Sequence, residues 1–186
     1  MMRLLLTVFL VATVVGCTAT PDRYAVTLPD ITSTQPIAFG LVEVREVSLP
    51  AYAAADEISV RNEDGRVVSS GSVLWADTPD RSLALELSRA LVQITSARVA
   101  SAPWPFESFP DARLDVRFET LVAGSDGQYR ARGQYFVAVT DGRRERAGLF
   151  DVSTSFDPEA GPQAIAAARG QIIAELALYI ARNGLR

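Results

Sequence analysis

The plainest pattern in the chain is a strict alternation of apolar and charged residues between positions 111 and 119. The even positions hold Ala112, Leu114, Val116 and Phe118, whereas the odd positions hold Asp111, Arg113, Asp115, Arg117 and Glu119. Successive side chains of a strand point to opposite faces, so this stretch predicts a strand with one buried side and one wet side. The alternating charges explain these carboxylates as partners of neighbouring arginines rather than as an acid/base pair.

Five further stretches have the composition of strands, at about 37–47, 57–61, 66–75, 128–139 and 144–156. The turn sequence Asn62-Glu63-Asp64-Gly65 predicts a hairpin between the second and third of them. Turn residues at 124–127 and 141–142 predict that the last three strands form an antiparallel meander.

Two segments have helical periodicity instead. Thr78-Pro79-Asp80 is a helix start, and an apolar stripe follows it to about residue 98. Gly161-Pro162 starts the second helix, whose stripe ends near Gly184. The fold class predicted is therefore α+β: one two-layer domain over residues 36–186, with a mostly antiparallel sheet of about five to six strands and two amphipathic helices packed on one face.

The amino terminus resembles a secretory leader. Arg3 precedes an apolar run at 4–15, which as a helix would be roughly 18 Å long and too short to span a bilayer. The run ends in Val14-Val15-Gly16-Cys17, which resembles a bacterial lipobox. We therefore expect a signal peptide over residues 1–16, cleavage before Cys17, and acyl chains such as palmitate on the Cys17 thiol that hold the protein to a membrane.

The residues after the cysteine predict where and how the domain is held. Thr18 rather than Asp follows Cys17, which by resemblance to enterobacterial sorting favours the outer membrane, with the domain facing the periplasm. Residues 17–35 contain Pro21 and Pro29 among polar residues, which predicts a lipidated, flexible tether with a reach of up to about 60 Å.

Composition excludes several classes of function. The chain has a formal net charge of −4, so bulk electrostatics give it no attraction for nucleic acid. It has no His and one Cys, which excludes Ser-His-Asp and Cys-His catalysis, imidazole zinc sites and an internal disulfide. No phosphate-cradling glycine loop or G-x-S-x-G elbow is present. We expect no catalytic residues, no metal and no cofactor, and we predict that the chain is not an enzyme.

One segment is unusual for a plain loop. Residues 102–110 contain three prolines and three aromatic residues, and the candidate partner-binding residues within it are Pro103, Trp104, Pro105, Phe106 and Phe109. Rigid aromatic anchors are typical of interfaces. The alternative is that the rings tuck under the preceding helix, and the sequence does not decide between the two.

A small basic cluster, Arg143, Arg144 and Arg146, lies beside Asp141 and Glu145. A contact with lipid head groups is one interpretation of this cluster. A solvated hairpin turn is the favoured one.

The order of several short motifs resembles a known family. Leu49-Pro50-Ala51-Tyr52, Ile58-Ser59-Val60-Arg61, Val73-Leu74-Trp75-Ala76-Asp77 and Ala102-Pro103-Trp104 follow the pattern of PqiC-type (YmbA-like) auxiliary lipoproteins of ABC-type and MCE-domain transport systems. The resemblance covers roughly residues 36–185. Many relatives carry Arg before the Trp, where this chain has Leu74. We add Trp75 to the candidate partner-binding residues.

The resemblance implies a non-catalytic role. It implies an outer-membrane lipoprotein that docks an MCE-domain protein and ABC transporter components in lipid transport between membranes. In one version of this role the lipoprotein forms a homo-oligomeric ring. Two alternatives are a periplasmic lipid-binding carrier, which requires a deep apolar pocket, and an LptE-like outer-membrane assembly lipoprotein, which requires a β-barrel partner.

Overall fold

The computed structural model describes residues 20–45 and 47–186, so the predicted signal peptide and Cys17 lie outside the described residues. Within that part the chain forms eight strands, three α-helices and one 3-10 turn. In chain order they are β1 (Asp22–Tyr24), β2 (Leu41–Val44), α1 (Ala51–Ala54), β3 (Glu57–Arg61), β4 (Val67–Trp75), α2 (Pro79–Ile94), β5 (Arg98–Ser101), β6 (Ala112–Gly124), β7 (Gln128–Val139), β8 (Arg146–Ser155), the 3-10 turn (Pro158–Ala160) and α3 (Pro162–Asn183).

The sheet is organised around β6, which contacts three other strands. On one edge β6 pairs with β7 over nearly its whole length, and β7 pairs with β8, both antiparallel. On the other edge the start of β6 pairs with β2 and its end with β3, both parallel. The sheet therefore forks, because β2 continues to β5 while β3 continues to β4 and then β1. The long pairings are antiparallel, as predicted, and the parallel ones are short.

The predicted count of five to six strands is too low. The two unpredicted strands are β1 and β5, of three and four residues, which are too short to show an alternation. Strand β5 begins at Arg98, where the helical stripe was expected to end, because α2 stops at Ile94. A third helix, the single-turn α1, follows Pro50.

The predicted two-layer packing is confirmed. The even residues of β6, such as Leu114 and Val116, are fully buried, and α2 and α3 pack against that face and against each other. The opposite face carries the charged residues. There Arg117 pairs with Asp115 at 3.1 Å, and Arg132 of β7 lies 3.9 Å from Glu119. Helix α3 is long and apolar enough to pass for a membrane span, but 67% of its apolar window is buried inside the domain, as expected for a core helix.

Residues 22–35, which were expected to belong to a flexible tether, instead pack against the domain. Strand β1 pairs with the end of β4, and Val26, Leu28 and Ile31 then contact the core beside the helices. The segment ends where the Gln35 amide donates to the carbonyl of Ile94 at the end of α2, at 2.7 Å. We call residues 24–35 the strap. Apolar residues spaced too irregularly to show a period are enough to dock an extended segment onto two helices.

Gly170 of α3 explains how the strap comes so close to the helices. A Cβ atom at Gly170 would lie 2.1 Å from the backbone oxygen of Thr27. No side chain fits in that space. The backbone of the strap can lie directly on the helix because residue 170 is a glycine.

Candidate functional site

The aromatic segment predicted from the sequence, residues 102–110, connects β5 to β6 and is largely exposed. Phe106 is 39% exposed and Phe109 is 77% exposed, which are high values for large apolar side chains. The rings of Trp104 and Phe106 meet edge to face with centroids 5.0 Å apart, and the Trp104 indole nitrogen donates to the backbone oxygen of Ser108 at 2.6 Å. These contacts are local to the segment, so its shape does not depend on rings entering the core.

The segment lies on the charged face of the sheet, away from the helices. The Arg98 guanidinium sits 5.1 Å above the Phe106 ring, and Arg98 stands opposite Leu41 in the β2–β5 register. Alternate residues of these strands, Val42 and Val99, face the core. Arg98 and Phe106 therefore lie on the other face. Between the two interpretations left open by the sequence, the structure favours exposed rings over rings tucked under α2.

The two ends of the segment differ in burial. Pro103 and Pro105 are exposed together with Phe106 and Phe109, Trp104 is half-buried, and Pro110 is buried where β6 begins. The five candidate residues from this segment, namely Pro103, Trp104, Pro105, Phe106 and Phe109, thus form one surface.

Trp75, the sixth candidate, lies elsewhere and is buried. It is 6% exposed at the end of β4, and its ring stacks on the guanidinium of Arg169 at 4.6 Å. A buried ring cannot be a direct anchor for a partner, so its role is to pack beneath a cleft.

That cleft has a volume of about 230 Å³ and lies between β1, the end of β4 and α2. Arg169 forms its floor and is 1% exposed. The Arg169 guanidinium donates to the Glu86 carboxylate at 3.1 and 3.3 Å and to the Ser82 hydroxyl at 2.6 Å. Burial raises the pKa of Glu86, and the nearby Arg169 charge opposes that rise without cancelling it.

Sequence reasoning missed Arg169, although a signal was present. Arg169 lies four residues after Ile165 and three before Ile172, in the middle of the apolar stripe of α3. A cation on a buried stripe has to be paired, and the partner, Glu86, lies 83 residues away in the sequence.

The geometry offers little that could perform catalysis. Of the acidic residues that line the cleft, Asp77 pairs with Arg81 and Glu86 pairs with Arg169, so each carboxylate is occupied by a cation. Across residues 20–45 and 47–186 no group of three or more acidic or Cys side chains is placed to hold a metal ion. The cleft is better explained as the join between α2, α3 and β4 than as a reaction centre.

Comparison with known proteins identifies the family. The model of the family described as "ABC-type transport auxiliary lipoprotein component" matches residues 24–181. The chain belongs to this family. The resemblance to PqiC-type auxiliary lipoproteins is thereby confirmed, and membership agrees with a transport role rather than an enzymatic one.

Solved structures share the fold. The crystal structure of an uncharacterized protein is 20% identical, with a TM-score of 0.64 over 87% of this chain and 97% of that one. A protein from Xanthomonas campestris is 18% identical, with a TM-score of 0.64 over 86% of this chain and 92% of that one. No curated protein matches the chain.

Proposed function

We propose that this auxiliary lipoprotein is a non-catalytic docking subunit, anchored in the outer membrane through acyl chains on Cys17 and facing the periplasm. Its partners are an MCE-domain protein that bridges the periplasm and the ABC transporter components that act with it. It works by attachment, either as a single copy or as a homo-oligomer. Family membership and the Cys17 lipobox support the anchored, auxiliary part of this proposal.

The observation that carries the docking part is the exposed aromatic segment at 102–110. Large aromatic side chains usually lose their exposure on folding, and clusters that stay exposed mark interaction sites. Here Phe106 and Phe109 remain in solvent while the segment is held by its own hydrogen bond and ring contact. A partner that covers them would meet rings already fixed in place, which lowers the entropic cost of binding.

The test is copurification at near-native expression with the MCE-domain proteins and ABC transporter subunits of the same organism. The double variant Trp104→Ala/Phe106→Ala should lose most of the captured partner while its thermal midpoint stays close to that of the parent. The control is Val68→Ala/Val92→Ala, which removes two side chains that are 42% and 48% exposed elsewhere on the surface and should leave capture unchanged. Absence of any MCE partner from the parent protein's complexes would refute the docking proposal.

One observation favours a second candidate, the lipid-binding carrier. A groove of about 560 Å³ lies between the strap and α3, and Leu28, Phe156 and Ala167 are among its lining residues. It is open to solvent rather than enclosed, so a bound acyl chain would be partly exposed. Extraction of the purified domain, followed by mass spectrometry, distinguishes the two candidates, because a carrier retains stoichiometric lipid and a docking subunit does not.

A further inference from the structure

Strand β6 defines an axis with two different ends. The carboxyl-terminal end of β6 lies beside the β3–β4 turn (62–66), the β6–β7 turn (125–127) and the end of β8. Arg61 pairs with Gly124 there, and Gln128 pairs with Ser155. We call this the hairpin end. At the start of β6 lie the β7–β8 turn (140–145), the start of β2 and the last residues of α3, where the Ala38 amide donates to the Leu185 carbonyl. We call this the distal end. Thirteen residues of β6 separate the two ends by about 40 Å.

The anchor approaches from the hairpin end. Strand β1 is parallel to β4, and β4 begins at the β3–β4 turn, so the chain that leads into Asp22 comes from that side. Only four residues lie between Cys17 and Asp22, so the five Cα–Cα steps that join them span at most about 17 Å. Since the strap is docked, those residues are the whole tether, and the distal end points away from the anchored membrane.

The two ends carry opposite charge. The hairpin end holds five carboxylates (Glu63, Asp64, Asp126, Asp157, Glu159) and three arginines (Arg61, Arg66, Arg130). The distal end holds six arginines (Arg98, Arg143, Arg144, Arg146, Arg182, Arg186) and four carboxylates (Glu107, Asp111, Asp141, Glu145). Two of these four carboxylates already accept hydrogen bonds from the backbone: Asp111 from the amides of Gly40 and Leu41, and Asp141 from the amide of Arg143.

The distal arginines are available to a partner. All six are exposed, and none of them takes part in the ion pairs found among residues 20–45 and 47–186. The guanidinium of Arg144 lies 5.7 Å over the ring of Phe39, and that of Arg98 lies over Phe106. Stacking on a ring leaves the hydrogen-bond donors of a guanidinium free at its edge, where they can meet carboxylates.

Hydrogen bonds join this basic turn to the aromatic segment. The Thr140 hydroxyl donates to the Pro110 carbonyl at 2.6 Å, and the Thr140 amide donates to the Asp111 carbonyl at 3.0 Å. Phe109, the most exposed large apolar side chain of the residues that the structure describes, is the residue just before Pro110. The aromatic segment and the basic turn therefore form one continuous surface.

We propose that this distal surface, defined by Arg98, Phe106, Phe109, Arg143 and Arg144, binds an acidic protein surface on a periplasmic partner. The inference rests on the docking function proposed above and adds which part of the molecule docks and the charge of what it meets. Arginine and aromatic residues are the types enriched at interface centres, and a basic patch steers an acidic partner toward it. Head groups of the anchored membrane are disfavoured as the ligand, because the tether approaches from the opposite end.

The experiment compares two charge reversals with the same change in net charge. Arg143→Glu/Arg144→Glu alters the distal surface, and Arg66→Glu/Arg89→Glu alters exposed positions away from it. Each variant is titrated with the purified periplasmic domain of an MCE-domain protein from the same organism at roughly 50 and 500 mM salt, and with vesicles containing phosphatidylglycerol. Thermal midpoints confirm folding, and Arg143→Gln/Arg144→Gln supplies a neutral intermediate.

The distal reversal should weaken binding by about tenfold or more at low salt, the neutral variant by less, and the control reversal hardly at all. High salt should reduce the difference in affinity between the parent and the distal reversal, since exposed charges are screened. If the parent domain does not bind the MCE protein, the docking function itself fails. If the parent binds and the distal reversal binds equally well, docking stands and this surface is wrong. Arginine-dependent binding to the vesicles alone would overturn the choice of a protein ligand.

Discussion

At the scale of single residues, the ion pair between Arg169 and Glu86 is the most consequential contact in the domain. It lies between α2 and α3 under the Trp75 ring, and the Arg169 side chain is 2% exposed while that of Glu86 is 13% exposed. Burying two charges costs solvation energy that their attraction only partly returns. The pair therefore adds less to stability than its geometry suggests, but removing one member leaves the other charged and buried.

This asymmetry gives a prediction. Arg169→Met leaves the Glu86 carboxylate without its cation and should lower the free energy of unfolding by about 3–5 kcal/mol. Arg169→Met/Glu86→Leu removes both charges and should regain most of that loss. Urea denaturation of both variants provides the measurement. A double variant that is no more stable than the single one would show that Arg169 contributes mainly through its stacking on Trp75.

At the scale of elements, the regularity of the sequence pattern determined which strands and helices could be predicted. Strand β6 was recognisable because nine consecutive residues alternate. The start of α2 at Thr78-Pro79-Asp80 falls where it was expected, although the Thr78 side chain makes no capping hydrogen bond. Strands β1 and β5 are too short for a period, and each exists because a neighbour offers a free edge. The exposed aromatic segment was found from its composition. Trp75 became a candidate partner-binding residue through motif resemblance, which carries no information on burial, and the structure buries it.

The docking of the strap was not predicted for a related reason, and a substitution at Gly170 tests that docking. In an exposed helix Gly→Ala adds up to about 1 kcal/mol of stability. At Gly170 the new Cβ would lie 2.1 Å from the Thr27 oxygen, so the sign should reverse and the variant should lose about 1–3 kcal/mol.

Limited proteolysis reports the same change locally. If the strap is pushed off α3, cleavage within residues 25–33 should become faster in Gly170→Ala than in the parent. Gly71→Ala is the matched control, because its Cβ meets nothing within 4 Å. A Gly170→Ala protein with parental stability and cleavage would mean that the strap does not bear on the helix.

At the scale of the whole molecule, the sequence predicted an anchor, one domain and a flexible tether between them, whereas the structure docks residues 22–35 onto the domain. A loose tether over 17–35 would let the domain stand off by about 60 Å and turn freely. With the strap docked, four residues remain between Cys17 and Asp22. If Cys17 carries the anchor, as proposed, the domain lies close to the bilayer with the β1 side nearest to it, and its two ends are no longer equivalent.

This orientation can be measured with one fluorophore at either end. The proposed acylation of Cys17 would consume the chain's single Cys, so an introduced cysteine would be the only free thiol in the mature lipoprotein. Glu63→Cys places a label in the β3–β4 turn, and Glu145→Cys places one in the β7–β8 turn, at opposite ends of β6 and both at exposed glutamates. In proteoliposomes with spin-labelled head groups, the label at position 63 should be quenched more strongly than the label at position 145. Equal quenching would mean that the domain lies flat or tumbles, and stronger quenching at position 145 would put the distal arginines on the membrane.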